Sequence, residues 1–326
     1  MLKNIRIKNI INLAVLSIAA SLVGYGANAV QAETKPKVVA SHNVICDLVK
    51  TIAQDTVDLT CLIDGNQDPH TFRPTPSQRK AIEEAQIIFY GGYQLEPQVI
   101  KLLNATKTPA PKIAVYEQAV TKPILAEHDE HEETEEKKPN TNKQADLEPD
   151  PHVWNNVENT VAMVELLKGI FLQANPAAAD VYLKNSVDLT QKLWQLDAWI
   201  KDQIATIPEN QRVLVTTHDS FNYYVQAYRL KNYDSLQGLS TNTSPTASQV
   251  RELATEIRQT GVPTIFAEST ANDRVINNVA RAANAKLSKE KLYADGLGGS
   301  NNYIEMMSHN TCAIVDGLGG KCQPFK

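Results

Sequence analysis

Short apolar runs alternate with amphipathic stretches along the first half of this chain. Four segments have the length or the alternation that is typical of strands. Between them, residues 43–53 repeat apolar side chains at helical spacing, and Thr75-Pro76 has the cap-plus-proline pattern of a helix start. Alternation of this kind predicts a mainly parallel sheet covered by helices. The four predicted strands are residues 37–40, 57–63, 86–90 and 113–115.

The same alternation returns after two consecutive helical segments, residues 155–174 and 177–207. The second segment is long and has no break before Pro208, which is typical of a helix that spans two lobes. The pattern therefore predicts an α/β protein of two similar lobes, residues 33–174 and 209–326, joined by one long helix within residues 175–208. In the second lobe the predicted strands are 213–216, 264–267 and 291–294, and the predicted helices are 220–229, one starting at Ser244-Pro245, 272–283 and 303–317.

The first residues have the layout of an export signal. Lys3, Arg6 and Lys8 precede a nearly unbroken apolar run at residues 10–23, and small residues follow it. This order is typical of a secretory signal peptide that is removed, here residues 1–32. An uncleaved membrane anchor is the alternative, but the apolar run is short for a bilayer span. The periplasm is the expected location of the mature chain.

Residues 127–150 interrupt the pattern with acidic and polar side chains and include His128 and His131. A segment with so little apolar content cannot bury itself, so we expect a disordered acidic loop. The loop is either a device that collects metal or a solvated insertion, and the sequence does not decide between them.

Charge and cysteine content narrow the classes of function. The formal net charge is −5 and no basic patch is present, which argues against nucleic acid as a partner. An exported protein can form disulfides, and the four cysteines fall into two pairs that are close in sequence, Cys46 with Cys61 and Cys312 with Cys322. Cys46 and Cys61 fit equally well as small buried apolar residues, and the connectivity stays open.

Several potential metal ligands follow predicted strands or loops, where an open α/β sheet builds its cleft. Three imidazoles and one carboxylate suit a first-row metal such as zinc, whereas oxygen-rich sites suit manganese, magnesium or calcium. Spacing alone is weak support, because most isolated histidines are surface or core residues. The candidates are His70, His152, His218, Glu268 and Asp295.

Five motifs, taken together, carry a resemblance that covers nearly the whole mature chain. In order, they resemble signatures of the metal-specific solute-binding proteins of ABC transporters, the zinc- and manganese-uptake group. The resemblance implies two α/β lobes bridged by a rigid helix, with the metal held between them. The motifs are residues 65–76 with Asp68-Pro69-His70, 150–154 with Asp150-Pro151-His152, 217–221 with His218, 265–268 with Glu268, and 293–298 with Asp295.

The resemblance also implies the ligand set His70, His152, His218 and Asp295. It places Glu268 near the site without making it a ligand. His42 departs from the family pattern, in which an aromatic or small residue is more common, and it is either an additional donor or part of the cleft wall. Zn²⁺ is the expected cargo because the third motif carries histidine, and Mn²⁺ is the alternative. The implied partner is a membrane permease, and a monomer is expected.

Two other classes of function are less consistent with the sequence. A zinc metallohydrolase needs an open metal position and a general base, and the chain has neither H-E-x-x-H nor G-x-S-x-G. A surface adhesin is the second alternative, but no cysteine near the leader offers a site for a lipid anchor. We therefore expect a binding protein and not an enzyme.

Overall fold

The computed structural model describes residues 35–127, 147–232, 235–242 and 245–326. The predicted leader and most of the predicted acidic loop, with His128 and His131, lie outside these residues.

A four-stranded parallel sheet in the order β2-β1-β3-β4 forms the centre of the first half. Val38, Val39 and Ala40 of the inner strand β1 are almost completely buried, because helices cover both faces of a parallel sheet. The predicted strands and the helices starting at residues 43 and 76 are confirmed, and two short helices were not predicted. The elements are β1 (Lys37–Ala40), α1 (Asn43–Ala53), β2 (Asp58–Cys61), α2 (Pro76–Glu84), β3 (Ile87–Tyr90), α3 (Pro97–Ala105), β4 (Lys112–Ala114) and α4 (Val115–Ala119).

A short antiparallel hairpin joins the two ends of the predicted acidic loop. Strand β5 (Leu125–Glu127) pairs with β6 (Leu147–Pro149), so both ends of the predicted loop, residues 127–150, include strand residues. The hairpin is fixed by contacts outside itself: the Asp150 N–H donates to the Ile124 carbonyl, and the Ile124 N–H donates to the Tyr223 hydroxyl. Such long-range contacts leave no signal in the local pattern.

Two consecutive helices, α5 (Val157–Ala174) and α6 (Ala179–Ala205), follow the hairpin. Helix α6 is 27 residues long, in agreement with the prediction of one long helix. Its buried stripe includes Leu189, Leu193, Leu196 and Ile200, and each such side chain contributes about 1.5–3 kcal/mol to folding. The helix packs against α1 and α5 of the first half. In the part of the chain that the structure describes, no helix is both long and apolar enough to cross a membrane.

Strands are much shorter in the second half than the sequence indicates. Predicted strands 213–216 and 264–267 are reduced to two residues each, and in place of 291–294 a single bridge pairs Glu268 with Leu292. Beyond the strand ends, the N–H groups of Thr217 and His218 donate to the Glu268 carboxylate. The elements are β7 (Val213–Leu214), α7 (Asn222–Tyr228), β8 (Lys231–Asn232), α8 (Ala247–Thr260), β9 (Thr264–Ile265), α9 (Asp273–Ala283), β10 (Lys286–Leu287) and α10 (Tyr303–Gly317).

Helix α8 begins two residues later than the Ser244-Pro245 pattern predicts. Thr246 is the N-cap, and its side chain and that of Gln249 form a reciprocal capping box. The same device, with Thr75 and Gln78, begins α2. The capping box satisfies two backbone N–H groups at once, so it determines the start of α8 in preference to the nearby proline.

Both cysteine pairs lie within the range of a disulfide. The Cα atoms of Cys46 and Cys61 are 5.8 Å apart, and those of Cys312 and Cys322 are 5.1 Å apart. A disulfide in the first pair would link α1 to β2, and one in the second would link α10 to the C-terminal tail.

The largest apolar cluster contains residues of both halves, for example Leu48 of α1, Leu193 of α6 and Ile314 of α10. Residues 35–326 accordingly form one compact unit. The lobe boundaries 33–174 and 209–326 stay a prediction.

Candidate metal centre

Four donor side chains converge in the interior of the molecule. His70 lies in the loop after β2, His152 precedes the turn that leads to α5, His218 follows β7, and Asp295 lies between β10 and α10. None of the four is more than 3% exposed. One ligand atom from each lies within 4.8 Å of all the others. The fold thus brings together the four residues that the motifs indicate.

Five of the six distances between these atoms match the edges of a tetrahedron around a small metal ion, and the sixth is within 4.8 Å. The His152 Nε2 atom is 3.3 Å from Nε2 of His70 and 3.4 Å from Nε2 of His218. Oδ1 of Asp295 is 3.4, 3.5 and 3.2 Å from Nε2 of His70, His152 and His218. Zinc bonds of ~2.0–2.1 Å give tetrahedral edges of about 3.3–3.4 Å. The donors are therefore spaced as a tetrahedral ion requires.

Carboxylates orient two of the three imidazoles. Nδ1 of His152 lies 2.8 Å from Oδ1 of Asp150, and Nδ1 of His218 contacts Oε2 of Glu268. A carboxylate only accepts hydrogen bonds, so each Nδ1 carries a proton, and each Nε2 presents a lone pair to the centre once its ring is neutral. Carboxylate–histidine pairs of this kind also increase the basicity of a metal ligand.

One carboxylate oxygen of Asp295 points to the centre, and the other is held by a hydrogen bond. The Thr270 hydroxyl donates to Oδ2 at 2.5 Å. Oδ1 is fully buried and has no hydrogen-bond partner among the described residues, although three imidazole nitrogens surround it. A buried carboxylate oxygen without a donor is costly, and a cation placed between the four atoms would satisfy it.

Charge and burial act in opposite directions on the pKa values of the site. Burial lowers the pKa of His70 and outweighs the attraction of Asp295. Burial also lowers the pKa of His152, but the hydrogen bond to Asp150 and the nearby carboxylate of Asp295 raise it above the ordinary value. The pKa of His218 is raised well above the ordinary value, because Glu268 and Asp295 overcome the effect of burial. Burial opposes ionisation of Asp295, but the three imidazoles hold its pKa well below its ordinary value. The centre therefore attracts positive charge.

His42 and Glu268 lie beside the four donors. His42 is fully buried, and both ring nitrogens have other partners: Nε2 lies 3.1 Å from the Asp295 carbonyl and Nδ1 lies 2.5 Å from the Tyr116 hydroxyl. Burial lowers the pKa of His42 to about 4, so the ring is neutral near neutral pH. Glu268 faces Nδ1 of His218, on the side of the ring away from the centre.

The sequence motifs contain orienting residues whose roles the sequence alone did not reveal. Asp68 and Asp150 stand two residues before a histidine in the same Asp-Pro-His tripeptide, and each accepts the backbone N–H of that histidine at 2.9 Å. The repeated tripeptide is the signal that could have identified both aspartates. Thr270 and Tyr116 have no comparable signal, because only the fold brings them to the site.

The α/β fold and this donor set define a metal-binding protein of the solute-binding class that serves ABC transporters. Residues 38–317 match the family model of the zinc-uptake complex component A, periplasmic (ZnuA), and the chain belongs to this family. The family consists of substrate-binding proteins, which are not enzymes and act outside the cytoplasm, so the metallohydrolase alternative is wrong.

Proteins whose names or structures refer to different metals are similar to this chain in sequence and fold. The chain is 30% identical to the manganese ABC transporter substrate-binding lipoprotein PsaA of Streptococcus anginosus, over 87% of this chain and 89% of the relative. The periplasmic zinc-binding protein TroA of Treponema pallidum has 28% identity and a TM-score of 0.77, over 87% of this chain and 99% of TroA. Fe(III)-bound YtgA of Chlamydia trachomatis has 25% identity and a TM-score of 0.73, over 87% of this chain and 98% of YtgA. The fold alone therefore does not determine the metal.

Proposed function

We propose that this protein captures one Zn²⁺ ion with His70, His152, His218 and Asp295 and delivers it to the membrane permease of an ABC importer. The observation that carries the proposal is the convergence of three Nε2 atoms and one buried Oδ1 atom, with five of their six separations at 3.2–3.5 Å and all within 4.8 Å. This geometry has the donor types, the number of donors and the spacing of a four-coordinate zinc site.

The chemistry of the donors favours Zn²⁺ over Mn²⁺. Three nitrogens and one oxygen form a set richer in nitrogen than manganese prefers, and the affinity of most such sites follows an order that places Zn²⁺ above Mn²⁺. Oδ2 of Asp295 is occupied by the Thr270 hydroxyl, which favours a carboxylate that binds through one oxygen. Mn²⁺ remains the alternative cargo, since PsaA is named for manganese and TroA for zinc.

Four protein donors complete the coordination of a tetrahedral metal ion. Such a site suits a transport protein and does not suit a hydrolase. A catalytic zinc keeps one position open for water. Here each of the four donor residues is buried, so a bound ion would be shielded from solvent on all sides. Release of the ion therefore requires movement of at least one donor-bearing loop, and contact with the permease is the event that we propose to cause it.

We further propose that the mature protein is a soluble periplasmic monomer with two disulfides. The first cysteine after the apolar leader is Cys46, which is buried on α1 and paired with Cys61, so it does not serve as a lipid attachment site. Both cysteine pairs have Cα separations suited to disulfides, which an exported protein can form. Fractionation of the host cell tests the location: the mature chain should be released with the periplasmic contents and not retained with membranes.

Replacement of a single ligand tests the metal assignment. We expect His70→Ala and His218→Ala to weaken Zn²⁺ binding by more than ~100-fold, because loss of a ligand should exceed the 10–100-fold effect of losing an orienting partner. A competition titration with a chromophoric chelator measures this change. His309→Ala is a matched control, since His309 is outside the donor set and bonds to the Lys291 carbonyl. Wild-type affinity in both ligand variants would rule out the assignment.

A further inference from the structure

His42 does more than line the cleft, because both of its ring nitrogens form specific hydrogen bonds. It follows β1 as the N-cap of α1, in the first half of the chain, and is completely buried. Its Nε2 atom is 3.1 Å from the carbonyl oxygen of Asp295, 253 residues away. A carbonyl only accepts hydrogen bonds, so Nε2 carries the proton, and Nδ1 accepts from the Tyr116 hydroxyl. Both nitrogens are thus engaged, and His42 has no lone pair left for a metal.

The neighbouring residue, Asn43, holds the other end of the same loop. Its Oδ1 atom accepts the Leu297 N–H at 2.9 Å, and its Nδ2 atom donates to the Asp64 carbonyl at 3.1 Å. Gly296 lies between the two attachment points with a φ of 139°, and a Cβ there would come within 2.3 Å of Oδ1 of Asn43. The backbone of residues 295–297 is therefore fixed on both sides of Gly296 by the start of α1.

His42 holds the backbone of Asp295, and the side chain of Asp295 is also restrained. The Thr270 hydroxyl holds Oδ2 of Asp295, and the imidazole of His42 holds its carbonyl. Together they direct Oδ1 toward the three imidazoles. The ring of His42 also packs on Trp154, with centroids 4.7 Å apart, and Trp154 contacts the ring of His152 at 5.4 Å. His42 is thus fixed against the wall that supports a second ligand.

We infer that His42 is a positioning residue that holds Asp295 as a one-oxygen ligand through its backbone carbonyl and so favours a four-coordinate ion. This inference rests on the proposed function, because it assumes that Asp295 binds the metal. Without the hydrogen bond from His42, the loop keeps only its attachment to Asn43, and the backbone of Asp295 is free to turn. The carboxylate could then offer both oxygens, which suits ions such as Mn²⁺ that prefer more oxygen donors.

Two substitutions at the same position separate the hydrogen bond from the packing. His42→Phe keeps a ring against Trp154 and removes the donor to Asp295. His42→Gln retains an N–H at a reach similar to that of Nε2 and should restore the bond. Co²⁺ is the probe, because its visible spectrum distinguishes four-coordinate from higher-coordinate sites. The control is His309→Phe, which removes a comparable bond, that of His309 to the Lys291 carbonyl, outside the centre.

The wild-type and His42→Gln proteins should give the four-coordinate Co²⁺ spectrum, and His42→Phe should give a higher-coordinate one. We also expect His42→Phe to lower the ratio of Zn²⁺ to Mn²⁺ affinity by ~10–100-fold, the usual effect of losing an orienting partner. If His42→Phe does not fold, Tyr116→Phe replaces it and should shift the spectrum in the same direction, because it removes the hydroxyl that fixes the His42 ring.

A wild-type spectrum and affinity ratio in the folded His42→Phe protein would overturn the inference. An equal change in His309→Phe would also overturn it, since the effect would then be a general loosening of this region. Failure of the wild-type protein itself to bind Zn²⁺ or Co²⁺ would instead contradict the proposed function. The two ideas can therefore fail separately.

Discussion

Individual side chains at the centre divide into the proposed metal donors and the residues that contact them, and the sequence revealed the two groups unequally. His70, His152, His218 and Asp295 were predicted because each stands in a recognisable motif, and the structure places them together. The orienting contacts were mostly hidden. A threonine such as Thr270 is common everywhere, and its contact with Asp295 exists only because the fold joins positions 25 residues apart.

Glu96, like Asp295, is a buried acid, and its environment should make the stability of the protein depend on pH. Its Oε1 atom accepts from the Ser41 hydroxyl and from the Gly91 N–H, whereas Oε2 has no partner among the described residues. Burial raises the pKa of Glu96 from 4.5 to about 7. The folded state therefore keeps a proton that the unfolded chain has lost at intermediate pH.

The free energy of unfolding should consequently fall as pH rises from about 4.5 to about 7, by up to ~3 kcal/mol from this group. The contribution is favourable below this window and is lost above it. Asp47 and Asp219, whose pKa values burial raises to about 6, act in the same direction. We expect Glu96→Gln, which cannot ionise, to make the pH dependence shallower. Urea denaturation of the metal-free protein across this range measures it.

Glu83→Gln, on the exposed side of α2, serves as the control and should leave the pH dependence as it is. If the free energy of unfolding changes with pH in Glu96→Gln as it does in the wild-type protein, Glu96 ionises in the folded protein without cost.

At the level of elements, the sequence was most informative where periodicity was long. Helices α1, α5, α6 and α10 occur close to their predicted bounds, because many apolar positions repeat in each of them. The strands of the second half were predicted too long, and the segments that follow β7 and β9 carry His218 and Glu268, where two backbone N–H groups donate to the Glu268 carboxylate. The β5–β6 hairpin was missed, because its stability comes from contacts with distant residues such as Tyr223.

In the sequence, strand β6 lies between the acidic insertion and His152, which leads to a prediction about that insertion. Residues Glu127 and Leu147 face each other in the antiparallel ladder, so a two-residue Asn-Gly turn can replace residues 128–146. We expect the shortened protein to fold and to bind the first Zn²⁺ with unchanged affinity. The reason is that Asp150 is held by the Ile124 carbonyl and the Tyr223 hydroxyl, which the deletion leaves in place.

Calorimetric titration of both forms with Zn²⁺ tests this prediction, and only weaker additional sites should disappear. Loss of the tight site in a shortened protein that still folds would assign the insertion an essential role in binding.

At the scale of the whole molecule, α6 and the contacts across the centre resist a large change of shape. Helix α6 packs against α1, α5 and α10 and shares one apolar cluster with both halves. Near the site, the Thr241 hydroxyl donates to Asp68 at 2.6 Å, and His42 and Asn43 hold the 295–297 loop. Proteins that close widely around a ligand usually bend at loop hinges. A continuous helix such as α6 resists bending of this kind.

Metal binding should therefore change the donor-bearing loops more than the overall dimensions. Small-angle scattering of metal-free and Zn²⁺-loaded protein should give nearly equal radii of gyration, while Zn²⁺ raises the melting temperature because it binds only the folded state. A large decrease in radius on loading would show that α6 or its ends act as a hinge.

The metal content of the protein, purified from its native compartment without added metal or chelator, tests the central claim most directly. The account predicts one zinc ion per chain in the wild-type protein and almost none in a His70→Ala variant prepared in the same way. Manganese or iron as the main metal at one ion per chain, or zinc retained in full by the variant, would contradict it.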